Sequence, residues 1–381
     1  MTKRSSRALL VLILVFASSA YAQSPMPTPA PPIIGAKSYL VLDATTGKEL
    51  ASLDPDTQLA PASLTKIMTT YVVFKALKQG QISLEDEVTI SEKAWRMPGS
   101  RMFVEVGKRV AIKDLLLGMI VQSGNDASVA LAEHIAGTEG VFAQMMNQYA
   151  QELGMHTSNF LNATGMPAEG HVTTARDLAT LARAVIEEFP EYYAWHSVKE
   201  YTYNDIKQSN RNSLLWRDPS VDGLKTGHTE DAGYCLVSSA MRDNMRVIVV
   251  VMGTSSTKSR TDGSQALINY SFRFFETRLL FKAGEEVATT RVWKSANETS
   301  RLGVIEDLYI TVRRGTYDEL ESTLDIPAIV EAPVAAGQPV AELKVSLGEQ
   351  VIISTPLRAL DDNPEGSFWQ RTKDRVGLWF E

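Results

Sequence analysis

Three short polar segments stand in one order along the chain: Ser63-Leu64-Thr65-Lys66, Ser123-Gly124-Asn125 and Lys225-Thr226-Gly227. They constrain the fold more than any other feature. Ser63 and Lys66 are three residues apart, so their side chains share a face only if Ser63 opens a helix. The pattern agrees: Leu64, Ile67, Met68, Tyr71 and Phe74 recur at helical spacing up to Gly80, a suitable C-cap. A second helical stretch, Ile112 to Ile120, breaks at Ser123-Gly124 and resumes through Ala127 to Ile135. Lys225 precedes strand-like runs at Gly233 to Ala240 and Arg246 to Gly253, joined across Asp243-Asn244. The fold must therefore join a helix start, a helix break and a strand edge.

The chemistry of these residues is specific once they meet. A serine hydroxyl is a weak nucleophile until a neighbour takes its proton. The helix start carrying Ser63 supplies free N–H groups and positive dipole for a developing oxyanion. Lys66 serves as base only if burial or a nearby cation lowers its pKa, and Lys225 is the expected cation. Asn125 is placed to hold Lys66 and a substrate amide. The pattern describes acyl transfer through a serine ester. Two decoys exist: Ser255-x-x-Lys258 repeats the first motif, and Ser295-Ala296-Asn297 repeats the second. Neither falls in the required order, and neither is expected to precede a helix.

Composition and the chain ends narrow the setting. Hydrophobic residues make up 44% and charged residues 22% of the 381, as in ordinary globular protein, and the length suggests two domains. Lys3, Arg4 and Arg7 precede an apolar run, Ala8 to Ala17, and then Ala20-Tyr21-Ala22. These are the parts of a secretory signal peptide, residues 1–22, and a Pro-rich leader, 23–32, follows. Cleavage after Ala22 removes three positive charges and moves the formal balance from -7 to -10, which argues against a nucleic-acid partner. The single Cys235 allows no internal disulfide and sits in an apolar run, where it reads as a buried thiol. The histidines at 134, 156, 171, 196 and 228 have no zinc-site spacing, and no metal or cofactor is expected.

Elsewhere, residues 38–52 read as a hairpin turned at Thr46-Gly47-Lys48, and Thr174 to Glu188 as an amphipathic helix stopped by Pro190. The fold class is α+β, an antiparallel sheet covered by helices. After about Phe275 the apolar segments Leu308 to Val312, Val340 to Val345 and Val351 to Ser354 indicate a small all-β domain. In the last turns, Phe368, Trp369, Val376, Trp379 and Phe380 share one helical face. That stripe either docks on the β domain or lies in a membrane surface.

The chain resembles the serine D-alanyl-D-alanine carboxypeptidases, low-molecular-mass penicillin-binding proteins of the penicillin-recognising serine enzymes. The resemblance runs from about Ile33 to the C-terminus. It rests on Pro61 to Lys66, Gln122 to Ala127, Val221 to His228 and Phe272-Arg273-Phe274-Phe275-Glu276-Thr277. It implies a catalytic domain over 33–275, a β-rich domain over 276–363 and an amphipathic anchoring helix over 364–381. It also implies Ser63 as the acylated nucleophile, Lys66 as its base, and Ser123 as a proton relay that works with Asn125. Lys225, Thr226 and Gly227 would line the strand beside which substrate lies, and the N–H groups of Ser63 and His228 would form the oxyanion hole. Arg260 would orient the substrate's terminal carboxylate; Arg211 is a second such arginine or a surface residue.

The implied activity removes the last D-alanine from peptidoglycan stem pentapeptides, in cell-wall maturation and cell shape. Beta-lactams would act as acylating inhibitors. The implied place is the periplasm, with residues 368–380 lying on the outer face of the inner membrane. A beta-lactamase, a DD-endopeptidase and a non-catalytic wall-binding protein are the rival readings.

Overall fold

The computed structural model describes residues 29–378. The expected signal peptide, all but the end of the Pro-rich leader, and Trp379 and Phe380 of the terminal stripe lie outside the described residues.

Five strands build the first sheet: β1 (Ser38–Asp43), β2 (Glu49–Leu53), β3 (Val221–Thr229), β4 (Gly233–Arg242) and β5 (Met245–Thr254). Their order is β2-β1-β5-β4-β3, antiparallel throughout. The apolar run Val247 to Met252 explains why this sheet is central. Ile248, Val250 and Met252 enter one hydrophobic cluster, while Val247, Val249 and Val251 enter another. A strand with both faces buried needs a continuous apolar run, because successive side chains alternate between faces. The turn between β4 and β5 is made by Asp243 and Asn244, whose φ values of 48° and 64° suit a tight hairpin.

On one face of the sheet lie α1 (Thr65–Lys78), α2 (Ile112–Gln122), α3 (Asn125–Ala136), α4 (Glu139–Glu152) and α5 (Ala175–Glu188). Their shared core includes Ile67, Phe74, Leu115, Leu131, Phe142 and Leu178. Each such side chain contributes about 1.5–3 kcal/mol on leaving water. On the opposite face lies α6 (Thr257–Phe274), which packs Leu267 and Ile268 against Val249 and Val251. α4 carries helical spacing in Phe142, Met146 and Ala150, whereas α6 is not legible from apolar spacing. The core face of α6 includes the small or polar residues Gly263, Ser264, Gln265 and Ser271. Its start is marked by Ser256, whose hydroxyl accepts the Ser259 N–H.

The decoy Ser255-x-x-Lys258 therefore does precede a helix, contrary to expectation. Lys258 is solvent-exposed and paired with Asp262, so the burial that surrounds Lys66 is missing there. The decoy fails on burial.

The chain leaves α6 directly into β6 (Phe275–Phe281) and continues through β7 (Glu286–Arg291), β8 (Thr299–Gly303), β9 (Leu308–Arg313), β10 (Leu320–Asp325), β11 (Pro339–Leu347) and β12 (Gln350–Ala359). β6 pairs with β9, and the others form a second five-stranded sheet ordered β7-β8-β12-β11-β10 around Leu302, Ile310, Leu343 and Leu357. α7 (Phe368–Gly377) ends the described chain. Asp374 accepts the Lys294 N–H at 2.6 Å, so one side of α7 docks on the β region. Phe368, Trp369 and Val376 are 68%, 79% and 52% exposed. Among the described residues no helix is long and apolar enough to cross a membrane.

The first sheet is joined to the β6–β9 pair through Asp43. One carboxylate oxygen accepts the Thr277 hydroxyl at 2.7 Å, and the other accepts the N–H and hydroxyl of Thr46 at 2.7 and 2.9 Å. Lys48 Nζ donates to the Thr311 carbonyl at 2.8 Å. Asp43 is wholly buried, so its loss strands several donors. Asp43→Ala is expected to destabilise the chain by about 2–3 kcal/mol, read as a lower midpoint in denaturant unfolding.

Candidate active site

Ser63 lies in a 3₁₀ turn, Ala62–Leu64, that feeds α1. Lys66 follows in the first turn of α1 and is 1% exposed. Its ammonium donates to Ser63 Oγ at 3.1 Å, Asn125 Oδ1 at 2.7 Å and the Thr164 carbonyl at 2.6 Å. The Lys66 pKa is lowered to about 7, first by burial and then by the Arg211 guanidinium, against a smaller opposing pull from Asp126. Lys225, the cation expected to depress it, is coupled to it, because the two buried amines disfavour each other's charge. Lys225 is itself buried and held well below lysine's ordinary value, by burial first and then by Lys66, Arg211 and Arg260.

The second segment sits at the junction of α2 and α3. Ser123 terminates α2 with φ 67° and ψ 34°, a left-handed conformation rare outside glycine. Its hydroxyl is buried and has no hydrogen-bond partner. Asn125 opens α3; its amide nitrogen donates to the Pro98 carbonyl and its backbone N–H to the Ser100 carbonyl, both at 2.7 Å. Asp126, unassigned in the sequence, anchors the neighbouring loop by accepting N–H groups of Met102 at 3.0 Å and Phe103 at 2.9 Å. Its position after the Ser123-Gly124-Asn125 motif was the available signal.

The third segment is the edge strand β3, where Lys225, Thr226, Gly227 and His228 pair with Val237, Leu236, Cys235 and Tyr234. Lys225 Nζ donates to the Thr226 carbonyl at 3.2 Å. A Cβ at Gly227 would stand 3.1 Å from the Pro61 carbonyl oxygen and 3.2 Å from Leu64 Cγ. This glycine therefore lets β3 pack on the turn that carries Ser63. His228 is exposed and stacks on Tyr234 with ring centroids 3.9 Å apart.

Arg260, from α6, is buried and donates to the Gly227 carbonyl at 3.3 Å, with its guanidinium over the Tyr234 ring. Arg211 is exposed on a loop pinned by its neighbours: Asn210 donates to the Val198 carbonyl and Asn212 to the Gly223 carbonyl, both at 3.0 Å.

Ser63, Ser100, Ser123, Arg211, Thr226, His228 and Arg260 line one groove of ≈ 640 Å³. Lys66, Asn125 and Lys225 stand behind it, absent from its lining. Arg211 thus belongs to the groove and is not a bystander on the surface. No acidic side chain lines the groove among the described residues, so it favours an anionic group. Among the described residues no cluster of three or more His, Cys, Asp or Glu could hold a metal. The decoy Ser295 lies in the β region, where its hydroxyl donates to the Val292 carbonyl.

The sequence did not reveal the loop 162–166, which brings the Thr164 carbonyl to Lys66. Asn162 Oδ1 shapes it by accepting from the Thr164 and Gly165 N–H groups at 3.1 and 2.7 Å. Gly165 has φ +80°, and a Cβ there would meet the Ala62 carbonyl oxygen at 1.8 Å.

Comparison with known proteins agrees with this geometry. The family description D-alanyl-D-alanine carboxypeptidase matches residues 26–256, and that of the penicillin-binding protein 5 C-terminal domain matches residues 275–365. The D-alanyl-D-alanine carboxypeptidase DacC of Escherichia coli is 41% identical over 97% of this chain and 94% of its own length. DacA of the same organism is 39% identical over 92% of this chain and 89% of its own length. The crystal structure of penicillin binding protein 5 from Haemophilus influenzae superposes with a TM-score of 0.85 at 41% identity, covering 88% of this chain and all of that one. The chain belongs to the D-alanyl-D-alanine carboxypeptidase family.

Gly165→Ala is expected to drive this loop off the Ser63 turn, because both the clash and the positive φ penalise it. Circular dichroism melting should show a loss of about 2 kcal/mol or more.

Proposed function

We propose that the chain is a serine D-alanyl-D-alanine carboxypeptidase acting on peptidoglycan stem pentapeptides, with Ser63 as nucleophile and Lys66 as its base. The observation that carries this reading is the buried Lys66 within 3.1 Å of Ser63 Oγ, with a pKa lowered to about 7. A neutral amine there takes the hydroxyl proton as Oγ bonds to the carbonyl carbon between the two D-alanines. The oxyanion that forms lies at the start of α1, between the N–H groups of Ser63 and His228. Collapse breaks the amide bond, and the departing amine takes a proton from Lys66 or from the Ser123–Lys225 pair. Water then attacks the ester, its proton passing to the same base, and releases the tetrapeptide with Ser63 restored. Arg211 and Arg260 supply the positive charge that orients the terminal carboxylate, and Thr226 and Gly227 lie beside the extended peptide. A beta-lactam, as a strained amide of similar shape, acylates the same oxygen.

The match of residues 275–365 to a penicillin-binding protein 5 C-terminal domain supports this reading over an endopeptidase. An Escherichia coli D-alanyl-D-alanine endopeptidase is 32% identical over a shorter span, 64% of this chain. We further infer export by residues 1–22, a catalytic domain over 33–275, a β-rich domain over 276–363 and membrane-surface anchoring by 364–381. The exposed Phe368, Trp369 and Val376 support that anchor.

Because Lys66 must be neutral to accept the proton, acylation of Ser63 by a fluorescent penicillin should rise with pH through about 7 and level off above it. Lys66→Met should abolish labelling and leave the thermal melt nearly unchanged. Labelling retained in that variant would place the base elsewhere. A chain ending at residue 363 should move from the membrane pellet to the soluble fraction with labelling intact; continued pelleting would remove the anchor assignment.

A further inference from the structure

We propose that His171 is a positioning residue that, through Thr65 and Asn162, fixes the Thr164 carbonyl against Lys66 and so sets the proton affinity of the base. This rests on the reading of Ser63 and Lys66 given above. His171 is buried, with Nε2 2.9 Å from Thr65 Oγ1 and Nδ1 3.2 Å from Asn162 Nδ2. Thr65 is the residue directly before Lys66, and Asn162 opens the loop that carries Thr164. One imidazole therefore joins the helix bearing the base to the loop bearing its acceptor.

The proton on that ring is determined by its neighbours. Asn162 Oδ1 already accepts from the Thr164 N–H, the Thr164 hydroxyl and the Gly165 N–H at 3.1, 2.9 and 2.7 Å. The amide cannot flip without losing all of these, so Nδ2 faces the ring and donates to Nδ1. The ring proton is then on Nε2, which donates to the Thr65 hydroxyl. A doubly protonated ring would turn an N–H toward an amide N–H, and burial opposes it, holding the His171 pKa to about 4. The ring stays neutral while Lys66 titrates. Phe160 packs edge-on against it, with ring planes at 88°, and restrains its tilt.

Without the ring, the loop keeps its ties at Ala163, whose carbonyl accepts the Thr69 hydroxyl at 2.7 Å and whose N–H donates to Glu139 at 3.1 Å, but Thr164 loses the brace that fixes its carbonyl against Lys66. Water then reaches the ammonium, relieves the burial that dominates its shift, and moves Lys66 back toward an ordinary lysine. The other groups that face Lys66, namely Ser63, Asn125, Arg211, Asp126 and Lys225, are unchanged by such a substitution.

The test uses the full chain and its His171→Leu, His171→Gln and Thr65→Val variants, with two readouts. The first is the rate of Ser63 acylation by a fluorescent penicillin against pH. The second is an NMR titration of the Lys66 Cε–H signal, which reads the base independently of activity. His171→Leu and Thr65→Val should acylate about tenfold more slowly at neutral pH. Their Lys66 midpoint should shift upward by about one unit. His171→Gln, whose amide both accepts from Asn162 and donates to Thr65, should keep the parent profile. If both non-bonding variants melt like the parent and keep its Lys66 midpoint, the proposal is wrong. Should His171→Leu fail to fold, Thr65→Val decides by the same criterion. A parent chain that titrates as described yet is never labelled at Ser63 would overturn the nucleophile assignment and leave the NMR comparison to judge His171.

Discussion

A single buried ammonium organises this site. Moving an isolated lysine charge into a protein interior costs several kcal/mol even after relaxation, so Lys66 must find acceptors or lose its proton. Here it meets three, from its own helix turn, from α3 and from the loop after residue 161. The arrangement satisfies the charged form while burial penalises it, and the balance leaves the base near neutrality. Ser63 depends on that balance. A lysine in water would stay protonated at neutral pH, and a lysine with a carboxylate partner would hold its proton more tightly still.

The sheet makes the convergence rigid. β3 reaches the groove as an edge strand backed by β4 and β5, which are buried on both faces. Gly227 lets that edge lie against the Ser63 turn, and Arg260 reaches under it from α6 to hold the Gly227 carbonyl. The Arg260 guanidinium and Arg211 then give the groove its positive wall, beside the His228–Tyr234 stack. Positive charge without a local acid is costly to assemble, and it persists because Arg211 is exposed at the rim and Arg260 leans on carbonyls and a tyrosine ring. The β region couples to this body through Asp43 and the Thr46–Thr277–Thr311 hydroxyls, none of which lines the groove.

Much of this architecture was legible from periodicity. α1, the broken pair α2 and α3, α5, and the hairpins β1–β2 and β4–β5 fall where apolar spacing and turn residues put them. α6 escaped because polar and small residues occupy much of its core face, and packing on the sheet supplied what its sequence lacks. The Ser255 decoy shows the converse: a correct local motif at a real helix start, without burial, has no chemistry. The pressure of Arg211 on Lys66 was hidden for a related reason: spacing identifies cations, but only the packed geometry shows that this one also bears on the base.

Residue order alone determined which groups were available: a hydroxyl and an amine one turn apart, a second hydroxyl and amide at a helix break, and a basic strand edge. Local rules reach that far because helices and strands repeat over a few residues. The proton affinity of Lys66, the unpaired Ser123 hydroxyl, the Thr164 carbonyl and the tautomer of His171 were decided by tertiary structure. Each depends on desolvation and on partners tens of residues away, and those exist only once the chain has packed.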